Sequence, residues 1–148
     1  MAIGFKLTNA SAFNREMLSR KNKLGNRRKV NAQALTIVDR WVQKNFQSQG
    51  KLATDGQGWQ KLSASTLLQR RKGGGKVSIL QDTGQLRQRW KHIIRGTKIA
   101  ILRSMVQYSI YHEEGTKKMP QRRILPEEEH IQPQLEKVFN VFIKKAIR

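Results

Sequence analysis

Apolar residues at Val30, Ala34, Ile37, Val38, Trp41, Val42 and Phe46 recur every three or four positions. That spacing puts them on one face and predicts a helix over 30–47, stopped by Gly50. A second stripe, Ile131, Leu135, Val138, Phe139, Phe142 and Ala146, predicts another long helix over 131–147. Pro126 and the run Glu127-Glu128-Glu129 suit its positive end, and Lys144, Lys145 and Arg148 its negative end. Pro133 falls early in this helix and is expected to distort its first turns.

Between the helices the period changes to two. Trp90, His92 and Ile94 alternate with Lys91, Ile93 and Arg95, Gly96-Thr97 makes a turn, and 98–104 returns. This predicts a β-hairpin. Ile3, Phe5 and Leu7 read as a short edge strand, and 123–125 as another. Asn9 or Ser11 would cap a brief helix ending near Arg20. The basic stretch 19–29, which contains Gly25, reads as a loop or the start of a helix. Residues 106–114 read as a short helix ended by Gly115. The expected fold class is α+β: two long amphipathic helices packed on a small, mostly antiparallel sheet. Residues 1–148 are expected to form a single domain, with mobile basic loops near 19–29, 70–76 and 116–123.

The stretch 57–90 has its own local logic. Trp59 precedes a short helix led by Leu62-Ser63, which Ser63 or Ser65 would cap. Asp82 would cap the helix carrying Leu86, with Gln85 reaching back in a capping-box arrangement. Gly84 permits an unusual φ or a close backbone approach. Gly73-Gly74-Gly75 cannot hold a fixed conformation alone, so 70–76 reads as a mobile cationic arm.

Three pieces of this pattern have a fixed order. They are Trp59-x-x-Leu62-Ser63-x-x-Thr66-x-x-x-Arg70, then Ile79-Leu80-x-x-Thr83-Gly84-x-Leu86, then Tyr108-x-x-Tyr111-His112-x-x-Gly115 followed by Arg122-Arg123-Ile124-Leu125. Together they span the last two-thirds of the chain. They resemble the virion morphogenesis family, the tail-completion proteins of Mu-like and P2-like phages. The resemblance implies a structural protein of the head–tail neck, a tail-completion or tail-terminator subunit in the virion, assembled in the host cytoplasm. It implies a ring of identical copies, a hexamer or dodecamer, around the DNA channel. The implied partners are other neck and tail-tube proteins and the double-stranded DNA in that channel.

Charge sharpens this picture. The chain carries 30 Lys/Arg against 10 Asp/Glu, net +20. Residues 1–112 hold 22 of the cations and only four acids, Glu16, Asp39, Asp55 and Asp82; the other six acids lie between Glu113 and Glu136. Such a field attracts polyanions and acidic protein surfaces. The alternative reading is therefore a nucleic-acid-binding protein acting through non-specific phosphate contacts. No aromatic platform accompanies the charge, because Trp41, Phe46, Phe139 and Phe142 belong to core stripes. There is no cysteine, hence no disulfide or thiolate metal site. No apolar run approaches the ~20 residues of a membrane span. The first residues lack the basic-then-apolar order of a signal peptide.

Catalytic and cofactor motifs do not form. His92, His112 and His130 lack metal-ligand spacing. Gly73-Gly74-Gly75-Lys76 lacks the Ser/Thr of a phosphate loop, since Val77 stands there. His112-Glu113-Glu114 reads as a polar helix end rather than a base with its orienting carboxylate. No cofactor and no enzymatic activity are expected. Assembly candidates are Trp59, Arg70, Arg71, Lys72, Lys76, Leu80, Tyr108, His112, Arg122 and Arg123. Leu62, Ser63, Thr66, Asp82, Thr83, Gly84, Leu86 and Gly115 are expected to hold the motif together.

Overall fold

The computed structural model describes residues 10–74 and 77–147. Two helices open it, α1 (Ala10–Gly25) and α2 (Arg28–Gln47). A 3-10 turn (Lys51–Ala53), α3 (Ala64–Lys72) and α4 (Gln85–Gln88) follow. The hairpin β1 (Trp90–Arg95) and β2 (Ile99–Ser104), α5 (Ser109–Glu114) and α6 (Glu128–Ile147) complete it. The fold is α+β, as the pattern predicts. Helix α2 packs against α6 and against both strands, and α1 packs against α6.

The antiparallel register runs from Trp90 opposite Ser104 to Arg95 opposite Ile99. Among the described residues the sheet has these two strands alone. The expected edge strand at Ile3, Phe5 and Leu7 lies outside the described residues, as do Gly75 and Lys76. The other expected edge, 123–125, is not a strand. Its polar backbone groups find side chains instead. The Arg123 carbonyl accepts from Trp59 Nε1 at 2.8 Å and Asn45 Nδ2 at 3.1 Å. The Ile124 and Leu125 amides both donate to Glu113 Oε2, at 2.7 and 3.2 Å. With these groups satisfied, the segment has little to gain from a neighbouring strand.

Trp41, Val42, Phe46, Trp59, Leu80, Leu86, Val106 and Ile124 form one buried cluster, with Trp90, Leu102 and Ile131 packed on it. Burying a side chain such as Phe46 stabilises by about 1.5–3 kcal/mol. The α2 stripe falls as its spacing predicts, with Leu35, Asn31 and Asn45 also buried. In α6 the six expected stripe positions are shielded, as is His130, while Val141, Ile143 and Ile147 stay exposed. Helix α6 runs through Pro133 unbroken.

Three further expectations need correction. The basic stretch 19–29 is helical up to Gly25 and again from Arg28, so α1 passes well beyond Arg20. Arg70, Arg71 and Lys72 form the last turn of α3 rather than a loop, with Gly73 as its C-cap. Arg70 is tied into the fold: its Nη1 donates to the Ser78 carbonyl and its Nε lies 3.7 Å from Asp82. Asp82 does not cap α4. Gly84 occupies the N-cap in the left-handed region, and Thr83 Oγ1 accepts from the Gln85 amide. Left-handed backbone at Gly84 removes the need for a side-chain cap to turn the chain. Ser63 caps α3 as expected, accepting from the Thr66 amide.

Gly50 and Gly84 are both left-handed, at φ 86° and 74°. A Cβ at Gly84 would meet only Gln88 at 3.5 Å, whereas at Gly50 it would lie 2.3 Å from the Trp59 ring. Gly84→Ala is expected to lose about 1–2 kcal/mol through backbone strain alone. Gly50→Ala should lose more, because the indole must also move. Urea unfolding that ranks the two the other way would refute the close Gly50–Trp59 packing.

Candidate functional site

A cleft of about 120 Å³ opens between α3, the 80–86 turn, α5 and the 116–123 loop. Leu62 and Arg70 contribute from around α3, and Leu80, Asp82, Thr83 and Leu86 from the turn. Tyr108 and His112 come from α5 and its start, and Arg122 from the loop. All nine are residues that the sequence singles out, drawn from three separate motif pieces.

Each is positioned by local structure. Ser63 starts α3 so that Arg70 arrives at its last turn. Leu80 has φ 58°, a strained left-handed conformation for leucine, and is buried in return. Gln81 leaves the turn to donate to the Phe46 carbonyl at 2.9 Å. Helix α5 ends at Gly115, where a Cβ would press within 3.0 Å of the Gln121 backbone. That close return sets Arg122 against α5, its amide donating to the His112 carbonyl at 2.7 Å.

The electrostatics are unusual. Arg122 is only 7 % exposed. Its Nε donates to the Gln60 carbonyl at 3.1 Å. Burial lowers its pKa, and the Arg70 charge lowers it further. Burial likewise pushes the His112 imidazole below its ordinary value of 6.5, with the Arg122 charge adding to the effect. His112 Nδ1 is closed to solvent without a hydrogen-bond partner, and Tyr108 meets the imidazole edge-on at 6.0 Å. The cleft thus gathers two guanidiniums and a histidine whose pKa is lowered by burial and then by Arg122, with Asp82 beside Arg70 as its carboxylate.

Beside the cleft, α5 presents an apolar outer face. Met105, Tyr108, Ile110 and Tyr111 are all 43 % exposed or more. Exposed aromatic and apolar side chains grouped this closely mark an interaction surface more often than a solvated one.

The assembly candidates separate into three groups. Arg70, Leu80, Tyr108, His112 and Arg122 meet at the cleft. Arg71, Lys72 and Arg123 lie outside its lining, with Arg123 paired to Glu127. Lys76 is outside the described residues. Trp59 is a core residue, 5 % exposed, packed edge-on to Phe46 at 5.3 Å and bonded to the Arg123 carbonyl. It anchors the loop between α2 and α3 from inside and has no face left for a neighbour.

Sequence reasoning missed Gln60, Gln81 and Glu113, whose bonds place the cleft walls. The Gln60 carbonyl accepts from Arg122 Nε, Gln81 donates to the Phe46 carbonyl of α2 and Glu113 accepts from the Ile124 and Leu125 amides, bonds that leave no periodic trace. No group of three or more His, Asp or Glu side chains suited to a metal occurs among the described residues. Compared with protein-family models, curated proteins and solved structures, the chain gives no match.

The lowered His112 pKa has a definite sign in stability. The unfolded chain binds this proton more readily than the folded one. The contribution is therefore full above about pH 6.5 and is drawn down as pH falls through the folded value. The melting temperature is expected to fall between pH 7.5 and 5.5, and His112→Gln to flatten that slope. An equal slope in the variant would place the proton elsewhere.

Proposed function

We propose that this chain is a structural subunit of the head–tail neck of a tailed phage. It acts in tail completion or as a tail terminator, in a ring that joins tail to head around the DNA channel. The observation that carries this reading is the convergence of the three motif pieces on one cleft beside the exposed face of α5. Residues far apart in sequence have no chain-local reason to share one surface feature; a docking surface supplies one.

Ring contacts are head-to-tail, so two unlike patches of the subunit must fit each other. The subunit offers two such patches. One is the cationic cleft with Tyr108, Ile110 and Tyr111 beside it. The other is the carboxylate edge at the start of α6, with Glu127, Glu128 and Glu129 around one shallow depression. The high positive charge elsewhere keeps free subunits apart until an acidic partner or DNA screens it. Catalysis has no part in this reading: the cleft holds no nucleophile paired with a base.

The test is a variant that damages only the outer face. Ile110→Glu changes a half-exposed position and should shift the melting temperature by no more than ~2 °C. In phage particles assembled with this variant, electron microscopy should find separate heads and tails. Normal particles would sink the reading. So would tight duplex binding that falls steeply with salt while particle assembly is unaffected, the behaviour of a phosphate-binding protein.

A further inference from the structure

Arg122 is nine-tenths buried, yet no carboxylate lies within 4.0 Å of its guanidinium among the described residues. A buried charge without a counter-charge costs several kcal/mol and persists where something else requires it. We infer that the cleft is a binding site for one oxyanion group, a carboxylate or a phosphate, held by Arg122 and Arg70 with His112 beside them. This does not depend on the neck assignment.

The geometry selects the ligand class. A guanidinium is a planar fork of donors that matches two oxygens of a carboxylate or phosphate. Among the described residues, the Arg122 side chain bonds to the protein through its Nε, at the Gln60 carbonyl. Arg70 lies close enough for its charge to act on Arg122, so an anion between them relieves a repulsion as well as forming bonds. At about 120 Å³ the cleft is sized for one small group. Arg122 is 7 % exposed and lies in the cleft wall, which separates this site from the chain's general surface charge.

Binding is linked to protons. The charged and titratable groups facing His112 are Arg70 from α3, Asp82 from the 80–86 turn, Tyr108 from the start of its own helix and Arg122 from the 116–123 loop. Burial is the larger cause of the lowered His112 pKa, and a bound anion offsets the second one, the Arg122 charge. The imidazole then takes up a proton more easily than it does beside an uncompensated Arg122. Asp82 works against the anion, and its hold on Arg70 at 3.7 Å is the contact an incoming carboxylate would replace.

The experiment is a nuclear magnetic resonance titration of the full chain at low salt, following arginine Nε–H and histidine ring signals. Inorganic phosphate and sodium acetate are added separately. At least one should saturate with a dissociation constant on the order of 1 mM. The shifts should centre on Arg122, Arg70 and His112, and the His112 titration midpoint should rise with saturating anion. Preference for acetate identifies the occupant as a carboxylate side chain of a docking protein; preference for phosphate identifies a free phosphate. Arg122→Gln should abolish saturation. Should that variant fail to fold, Arg70→Gln at the rim should still weaken binding about tenfold. Shifts that stay linear and spread over surface lysines, or unchanged binding in Arg70→Gln, would overturn the proposal and leave Arg122 as a structural tie between loops.

Discussion

The last turn of α2 holds the rest of the molecule in place. Asn45 reaches the Arg123 and Ile124 carbonyls, and Phe46 offers its own carbonyl to the side chains of Gln49 and Gln81. Gln49 Oε1 accepts from the Ile79 amide at 2.7 Å, and its carbonyl accepts from the Trp59 amide at 2.8 Å. A helix end has carbonyls without intrahelical partners. Here those carbonyls and the adjacent amide side chains bind three separate loops. Gly50 turns the chain tightly enough for Trp59 to lie over it, and the indole closes the arrangement on Arg123.

The cleft is a product of that hub. Trp59 and Gln81 fix the segments leading to Leu62 and to Asp82, and Asn45 fixes the segment just after Arg122. The charged residues meet because apolar and amide contacts behind them leave no freedom to separate. Arg70 and Arg122 are thus held close together despite repelling each other. Enforced proximity of two like charges costs stability locally, and the contacts behind them supply what holds them there.

The sequence made much of this legible, and the limits have physical causes. Helices α2 and α6 and the hairpin were readable because burial on one face imposes a period of 3.6 or 2. The cap at Ser63 and the left-handed Gly84 were readable because each is a local event within four residues. Arg123 to Leu125 looked like a strand, yet Glu113 and Trp59 took its hydrogen bonds from a distance, and no periodicity records such partners. The arm at 70–76 looked like a loop from its glycines and charges, but Arg70 to Lys72 extend the helix that Ser63 starts. Trp59 looked like an assembly residue, yet the space over Gly50, where no side chain stands, takes its indole into the core. Of the cleft, the residue types were legible and their convergence was not, because it rests on contacts across more than 60 positions, such as Arg122 with Gln60.

The same long reach governs the order in which the chain can become ordered. The bonds from Asn45, Trp59 and Gln60 all end on residues 122–124, between 62 and 79 positions away. Contacts this distant form late, since a long loop must close before they stabilise anything. At synthesis rates of about 5–20 residues per second, α2 and its hub wait several seconds or more on the ribosome for their partners. Through that interval the indole of Trp59 and the end of α2 are apolar surface without cover. The strong positive charge of residues 1–112 acts through that interval as mutual repulsion between nascent chains that are all incomplete at the same place.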